Sequence, residues 1–389
     1  KISEIRCSGH RAVLEIGDVV VPPHGLAMAT AYDDCCNQAP ARLIRNARQL
    51  GYRGSLLHYV GMSHFMRLAP AGGGFAVVST GSLLSPPAQA WHRAFFAAAL
   101  DTDFEPIASL SYELLAQCCP SDWQQRAFDG SPARTGWEPP SALLSPASGA
   151  AMAWLQGVAG EFVALLREAG APVRFQIGEP WWWVTGDGRP CIYDAAARAA
   201  LGGTPVEIAD LRAPLSTAQK ALLDAAGALL ASSTAALRDA VRAAAAPEPA
   251  EVLLLVFLPS VVDPAMPEVR RANVPTGWAS PAYDRLQLED YDWLTAGSDA
   301  RRRAAYAAAN ARLGYPPQDQ DYLAGFVPAG ADPDLWRRID AGIDEALTRQ
   351  PHECFVWALP QVCRDGFVRL AQAHQEDTMQ PFDDIAYPL

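Results

Sequence analysis

The chain has 389 residues, half of them apolar, and a formal net charge of −12 with a pI near 5.0. That size and apolar content permit a large buried core, and an α/β barrel of this length can be a single domain. The acidic balance argues against a nucleic-acid backbone or an anionic membrane surface as partner; Arg301-Arg302-Arg303, the one tight basic triplet, reads as a solvated helix face.

Residues 1–23 hold Ala12-Val13-Leu14-Glu15-Ile16 and Val19-Val20-Val21, expected as lead-in strands before a barrel spanning 24–378. Gly25 to Tyr32 reads as strand one, ending at Asp33-Asp34, and Pro40 to Leu50 as a helix with Ala41, Leu43, Ile44, Ala47 and Leu50 on one face. Ser55 to Gly61 is strand two, with His58 and Tyr59 near its end, and Pro87 to Leu100 is a helix. Phe104 to Ser111 is strand three, followed by Tyr112, Glu113 and a long, weakly periodic loop over 120–148. Ala150 to Ala169 is an amphipathic helix. It leads into Val173-Arg174-Phe175-Gln176-Ile177-Gly178, a short strand four that Pro180 must stop. Ala195 to Pro214 is a second excursion, and Ala218 to Ala246 is an Ala-rich helix. Glu251 to Leu258, apolar on both faces, has the character of a buried parallel strand, the fifth. Tyr283 to Glu289 is strand six, in which Gln287 and Glu289 share one face and Leu286 and Leu288 the other. Ala300 to Leu313 is a helix, Tyr322 to Val327 strand seven, Pro333 to Arg349 a helix, and Cys354 to Leu359 strand eight. Residues 379–389 are expected to be an extended C-terminal segment leading toward a further domain. Eight strands alternating with helices predict an α/β fold, a (β/α)8 TIM barrel with long strand-to-helix loops at 61–86, 120–148 and 260–280. No Gly-x-Gly-x-x-Gly follows a strand and no P-loop is present, which disfavours an open nucleotide-binding sheet.

No apolar run reaches the ~18–20 uncharged residues of a membrane span, and no signal peptide is visible. The sequence begins at Lys1 and not at Met, so it is expected to be a processed or excised piece; its compartment is not legible. The eight cysteines and seven histidines show no zinc spacing, so neither a catalytic metal nor another cofactor is expected, and most cysteines read as small core residues.

The stretch that carries chemistry is Gly178-Glu179-Pro180-Trp181-Trp182-Trp183. It places a carboxyl group at the carboxyl end of a strand, the end that bears the chemistry in such barrels, beside indole rings on which a sugar can stack. Apolar surroundings raise a carboxyl pKa, as a general acid requires. Gly178-Glu179-Pro180 resembles the Asn-Glu-Pro that ends strand four in clan A retaining glycoside hydrolases, with Gly178 where those enzymes carry the Asn that holds the sugar 2-hydroxyl. The resemblance implies that Glu179 is the acid/base. Glu289 is the best second carboxyl, as nucleophile, with Asp290 and Asp292 in competition. Clan A places its nucleophile on strand seven, whereas the count here gives strand six: either the topology differs or a strand is miscounted. Trp357 is similar to the strand-eight tryptophan that floors the sugar site in that clan. Trp181, Trp183 and Trp293 are candidates for stacking, Tyr32, Asp34, His58 and Tyr59 for binding sugar hydroxyls, and Gln287 for orienting the nucleophile. Tyr59 to His64, Leu288 to Trp293 and the segment after Met379 also resemble the glycosidase-like barrel domain of phage and gene-transfer-agent tail proteins. Two functions follow as expectations: a glycoside hydrolase acting on a polysaccharide, or a non-catalytic glycan-binding or structural barrel of a phage tail. The expected partners are carbohydrate and other tail proteins.

Overall fold

The computed structural model describes residues 21, 23–325 and 334–369. Eight parallel strands form its centre: β1 (Ala27–Ala31), β2 (Gly54–Met62), β3 (Phe104–Leu115), β4 (Val173–Gly178), β5 (Ala250–Phe257), β6 (Arg285–Glu289), β7 (Gln320–Ala324) and β8 (Glu353–Val356). Each pairs with the next, β1 with β8, and β2 with β3, so the sheet closes into a (β/α)8 barrel. All eight expected strands occur. The seventh starts two residues earlier than its apolar run, because Gln320 and Asp321 pair with Leu286 and Gln287 of β6. Apart from residues 21 and 23, the expected lead-in strands lie outside the described residues, as does the 379–389 segment.

The helices form where the apolar spacing places them, and several begin at a serine. Ser85, Ser148 and Ser216 accept the amide hydrogens of Ala88, Ala151 and Gln219, satisfying donors that a helix start leaves unpaired. Helix Gly149–Glu168 is long and apolar enough to cross a membrane by length and composition, but it buries Leu155, Val158, Phe162 and Leu166 in the protein core. Gly170, at φ +80, then turns the chain into β4 in a backbone conformation that costs glycine little. Arg302 corrects the expectation of a solvated basic face: it is 2 % exposed and its guanidinium meets Asp290, Asp299 and Glu345.

The lumen is polar and layered. At the amino end Arg174 meets Glu105 and Glu251, while Arg285 meets Glu251, Asp321 and Glu353. Above them Ser109 donates to Gln176 at 2.7 Å, and Gln176 donates to Gln287 at 2.7 Å. The long connections after β2, β3, β4 and β5 all leave the carboxyl ends of their strands and so crowd that rim. The first holds a hairpin of Leu68–Ala71 with Gly74–Val77, and the second returns Ser141–Leu143 to pair with the end of β3.

Candidate active site

Register sets the height of each rim carboxyl. Ile177 of β4 is level with Leu254 of β5, and Leu254 with Leu286 of β6. Two residues on, Glu179 is level with Leu288, so Glu289 stands one residue above it across the barrel mouth. Strand five lies between their strands. Glu179 adopts φ +52, a left-handed backbone rare outside glycine, and such strain clusters at functional sites. Ser111 of β3 donates a short hydrogen bond to its Oε2. Glu289, 4 % exposed, accepts from the Tyr59 hydroxyl at 2.7 Å; the same hydroxyl lies 3.2 Å from Gln287 Oε1. Ser109, Gln176 and Gln287 are thus joined by donated bonds, and the Tyr59 hydroxyl beside Gln287 gives its one hydrogen to Glu289.

Burial dominates the electrostatics. It pushes Glu179 up to about 7, against the Ser111 hydrogen bond and with the charge of Asp33. It pushes Glu289 up to about 8, with the Tyr59 bond opposing and the charges of Glu179 and Asp290 adding. Glu113, inward-facing on β3, is pushed well above the usual carboxylate range by burial and then by the Glu179 charge. One of its carboxyl oxygens is buried with no hydrogen-bond partner.

Aromatic rings border the pair. Over the tips of β4, β5 and β6, Trp181 lies 6.0 Å from Phe257, which stacks on Tyr291 at 4.6 Å. On the other side Trp357, whose peptide bond to Ala358 is cis, meets the Tyr59 ring edge-on at 4.8 Å. Trp181 and Trp183 also line an adjoining cavity of about 350 Å³ that runs to Arg212, Ser260 and Asp263. Trp182 turns the other way, wholly buried, and donates to the Ala226 carbonyl.

Other expected residues lie elsewhere. Alternation along β2 sends Tyr59 into the lumen and His58 out of it. His58 is buried under helix Pro86–Leu100, bonded to Thr30 at 2.6 Å and His92 at 3.1 Å. Tyr32 packs with it, against Trp91 and His92. Asp34 is exposed, and its neighbour Asp33 is the residue that acts on Glu179. Asp290 is buried behind the sheet, where it accepts from Tyr322 at 2.7 Å and meets Arg302 at 3.1 Å. Asp292 is exposed and Trp293 is core. Sequence reasoning missed Asp33, Ser111, Glu113 and Phe257 as groups that act on the pair or border it, while Tyr291 was expected beside Glu289. The alternation Ser109-Leu110-Ser111-Tyr112-Glu113 carried the signal for three lumen-facing polar groups on β3. Among the described residues no group of three or more His, Cys, Asp or Glu is placed to hold a metal ion.

The structure has the expected eight strands, so Glu289 ends strand six, and strand seven ends at Ala324. Gly178 has a packing cause. A Cβ there would meet Ser109 Oγ at 3.2 Å and the Leu110 carbonyl at 3.3 Å.

The glycoside hydrolase domain of PgaB (BpsB) from Bordetella bronchiseptica is similar in fold, with a TM-score of 0.59, 14 % identity, and coverage of 88 % of this chain and 96 % of that one. A β-galactosidase from the psychrophilic Marinomonas ef1 has a TM-score of 0.52 at 10 % identity, over 86 % of this chain and 54 % of that one. At such identities these likenesses establish the barrel fold alone. No curated protein matches the sequence. Residues 22–367 match the TIM-barrel domain of the non-contractile tail sheath protein, and the chain belongs to that family.

Proposed function

We propose that this barrel hydrolyses glycosidic bonds of a polysaccharide with Glu179 as acid/base and Glu289 as nucleophile, and retains the anomeric configuration. The observation that carries the proposal is the pairing of two strand-end carboxyls, each served by a hydroxyl donor, beneath the Trp181–Phe257–Tyr291 run. Glu179 protonates the leaving oxygen as Glu289 attacks the anomeric carbon, breaking the glycosidic bond and forming a glycosyl ester. Glu179, now a carboxylate, takes a proton from water, which cleaves the ester and frees Glu289. The chemistry needs one proton on the pair. Taken singly, the values near 7 and 8 ionise Glu179 first. The Glu179 charge raises Glu289, so ionising one carboxyl disfavours ionising the other, and the competent form is the tautomer with the proton on Glu179 and the Tyr59 hydrogen bond on the Glu289 anion.

A second reading, a non-catalytic glycan-binding or structural barrel acting with other tail proteins, is favoured by three observations. Glu289 is 4 % exposed, strand seven ends among the described residues at Ala324 and not at a carboxyl, and Gly178 offers no side chain to a sugar. Release of reducing ends from capsular polysaccharide, O-antigen and peptidoglycan separates the two. The hydrolase requires release by the natural protein and none by Glu179→Gln or Glu289→Gln. Retention of a glycan without release supports the binding module.

A further inference from the structure

The cavity of about 350 Å³ beside the carboxyl pair is not used by the two-carboxylate chemistry. It lies between two rim connections: Trp183 and Arg212 come from the one after β4, Ser260 and Asp263 from the one after β5. Trp181 ties it to the pair, because it lines the cavity and its amide donates to the Glu179 carbonyl at 3.1 Å.

The walls are fixed by groups buried behind them. Gln125 Nε2 donates to the Trp181 carbonyl at 3.0 Å, and Gln125 Oε1 accepts the Trp183 amide at 2.8 Å. Asn273 does the same for Trp182 between them, accepting its amide and donating to its carbonyl, each at 2.9 Å. Both amide side chains are buried, so the tryptophan run is held in place as a preorganised site requires. Arg212 is also braced. Its Nε donates to Asp210 Oδ1 at 2.8 Å and its Nη2 to the Asp187 carbonyl. Gly188, at φ +89, leaves room for that: a Cβ there would strike Asp210 Oδ1 and lie 3.0 Å from Arg212 Nε.

We infer that this cavity binds a neutral sugar unit of the polysaccharide, next along the chain from the unit at Glu179 and Glu289. Trp183 is partly exposed and supplies an indole wall for the apolar face of a sugar ring. Arg212 only donates, the Asp263 carboxylate only accepts, and the Ser260 hydroxyl does both, which matches a ring carrying several hydroxyls. Charge selects against an acidic unit. Among the described residues Arg212 is the one cation lining the cavity; Asp210 already matches it, and Asp263 would repel a second carboxylate. The volume lies at the small end of small-molecule sites, in keeping with one unit and not a whole oligosaccharide. The place along the chain rests on the hydrolase proposal; the sugar site does not.

Calorimetric titration of the whole protein carrying Glu289→Gln, so that no fragment is cut, tests the inference. The probes are fragments of graded length from capsular polysaccharide, O-antigen and peptidoglycan. Affinity should rise from single units to longer fragments. Trp183→Ala, which keeps the amide held by Gln125, should remove that rise, a loss of about tenfold. Arg212→Ala, at an exposed side chain, should remove part of it and serves alone if Trp183→Ala does not fold. A rise that survives these substitutions, or no binding of any fragment, overturns the inference, and tighter binding of uronic-acid fragments than of neutral ones overturns the neutral unit. A loss of affinity in Trp183→Ala, alongside a natural protein that releases no reducing ends, would sink the hydrolase proposal and leave the sugar site standing.

Discussion

Tyr59 reaches from β2 across the barrel mouth to donate its phenolic hydrogen to Glu289, at the end of β6, over 2.7 Å. The bond needs a hydroxyl on the lumen face of β2 and a carboxyl on the lumen face of β6, and it links two strands that are not neighbours in the sheet.

Tyr59→Phe should therefore act on Glu289 in particular. A hydrogen bond to a charged group contributes ~1.5–3 kcal/mol, so glycan cleavage should fall about tenfold or more, with little change in KM. The Glu289 midpoint should rise, because the donor that favours its anion is gone. Unchanged kcat in Tyr59→Phe would remove Tyr59 from the mechanism.

The pH profile follows from the proton count. Below about 7 both carboxyls keep their protons and no nucleophile is present; above about 8 both are ionised and no acid remains. Activity should rise toward about 7 and fall beyond about 8. An optimum near 4.5, where a solvated pair would work, would show that burial does not set the chemistry.

Stability should respond in the opposite direction to that of a salt-bridged carboxylate. Glu289 has its folded pKa raised from 4.5 to about 8, so the folded state holds the proton more tightly than the unfolded chain. Its favourable contribution is present at acid pH and is lost as pH rises through that window. Glu289→Gln, which cannot ionise, should melt a few degrees above the natural protein at pH 8.5, with the gap closing by pH 5. Parallel Tm curves would contradict the raised pKa.

At the other end of the lumen, Arg285 is 3 % exposed and faces Glu251, Asp321 and Glu353. Arg285→Met leaves those carboxyls without one of their two cations. Urea unfolding should show a loss of ~3–5 kcal/mol, the usual result of stranding a buried charge. A loss below about 1 kcal/mol, the range of surface ion pairs, would show the layer to be solvated.

The barrel was legible because each strand announces itself by what buries it. Val252 to Val256 is apolar on both faces, since helices and lumen both cover β5, and Leu286 and Leu288 alternate with Gln287 and Glu289 on β6. Positions at strand ends were legible where alternation continues, as at Glu289. They were not legible where the strand gives way to a turn. There, which of two neighbours turns inward depends on a backbone twist that spacing does not encode, and so it is Asp33, bonded to Ser63 and His64, whose charge acts on Glu179, while Asp34 is exposed. His58 and Tyr59 show the same limit: they are adjacent and both polar, but only one phase of the pleat points inward, and it is Tyr59. Asp290 looked available because its partners, Arg302 and Tyr322, lie 12 and 32 residues away.

The most direct test of Glu179 and Glu289 as a retaining pair is the anomer of the newly formed reducing end, observed by proton NMR in the first minutes of polysaccharide cleavage. The account predicts the configuration of the bond that was broken, with mutarotation following later. An inverted anomer at the earliest time, or no new reducing end from any polysaccharide the protein binds, would contradict it.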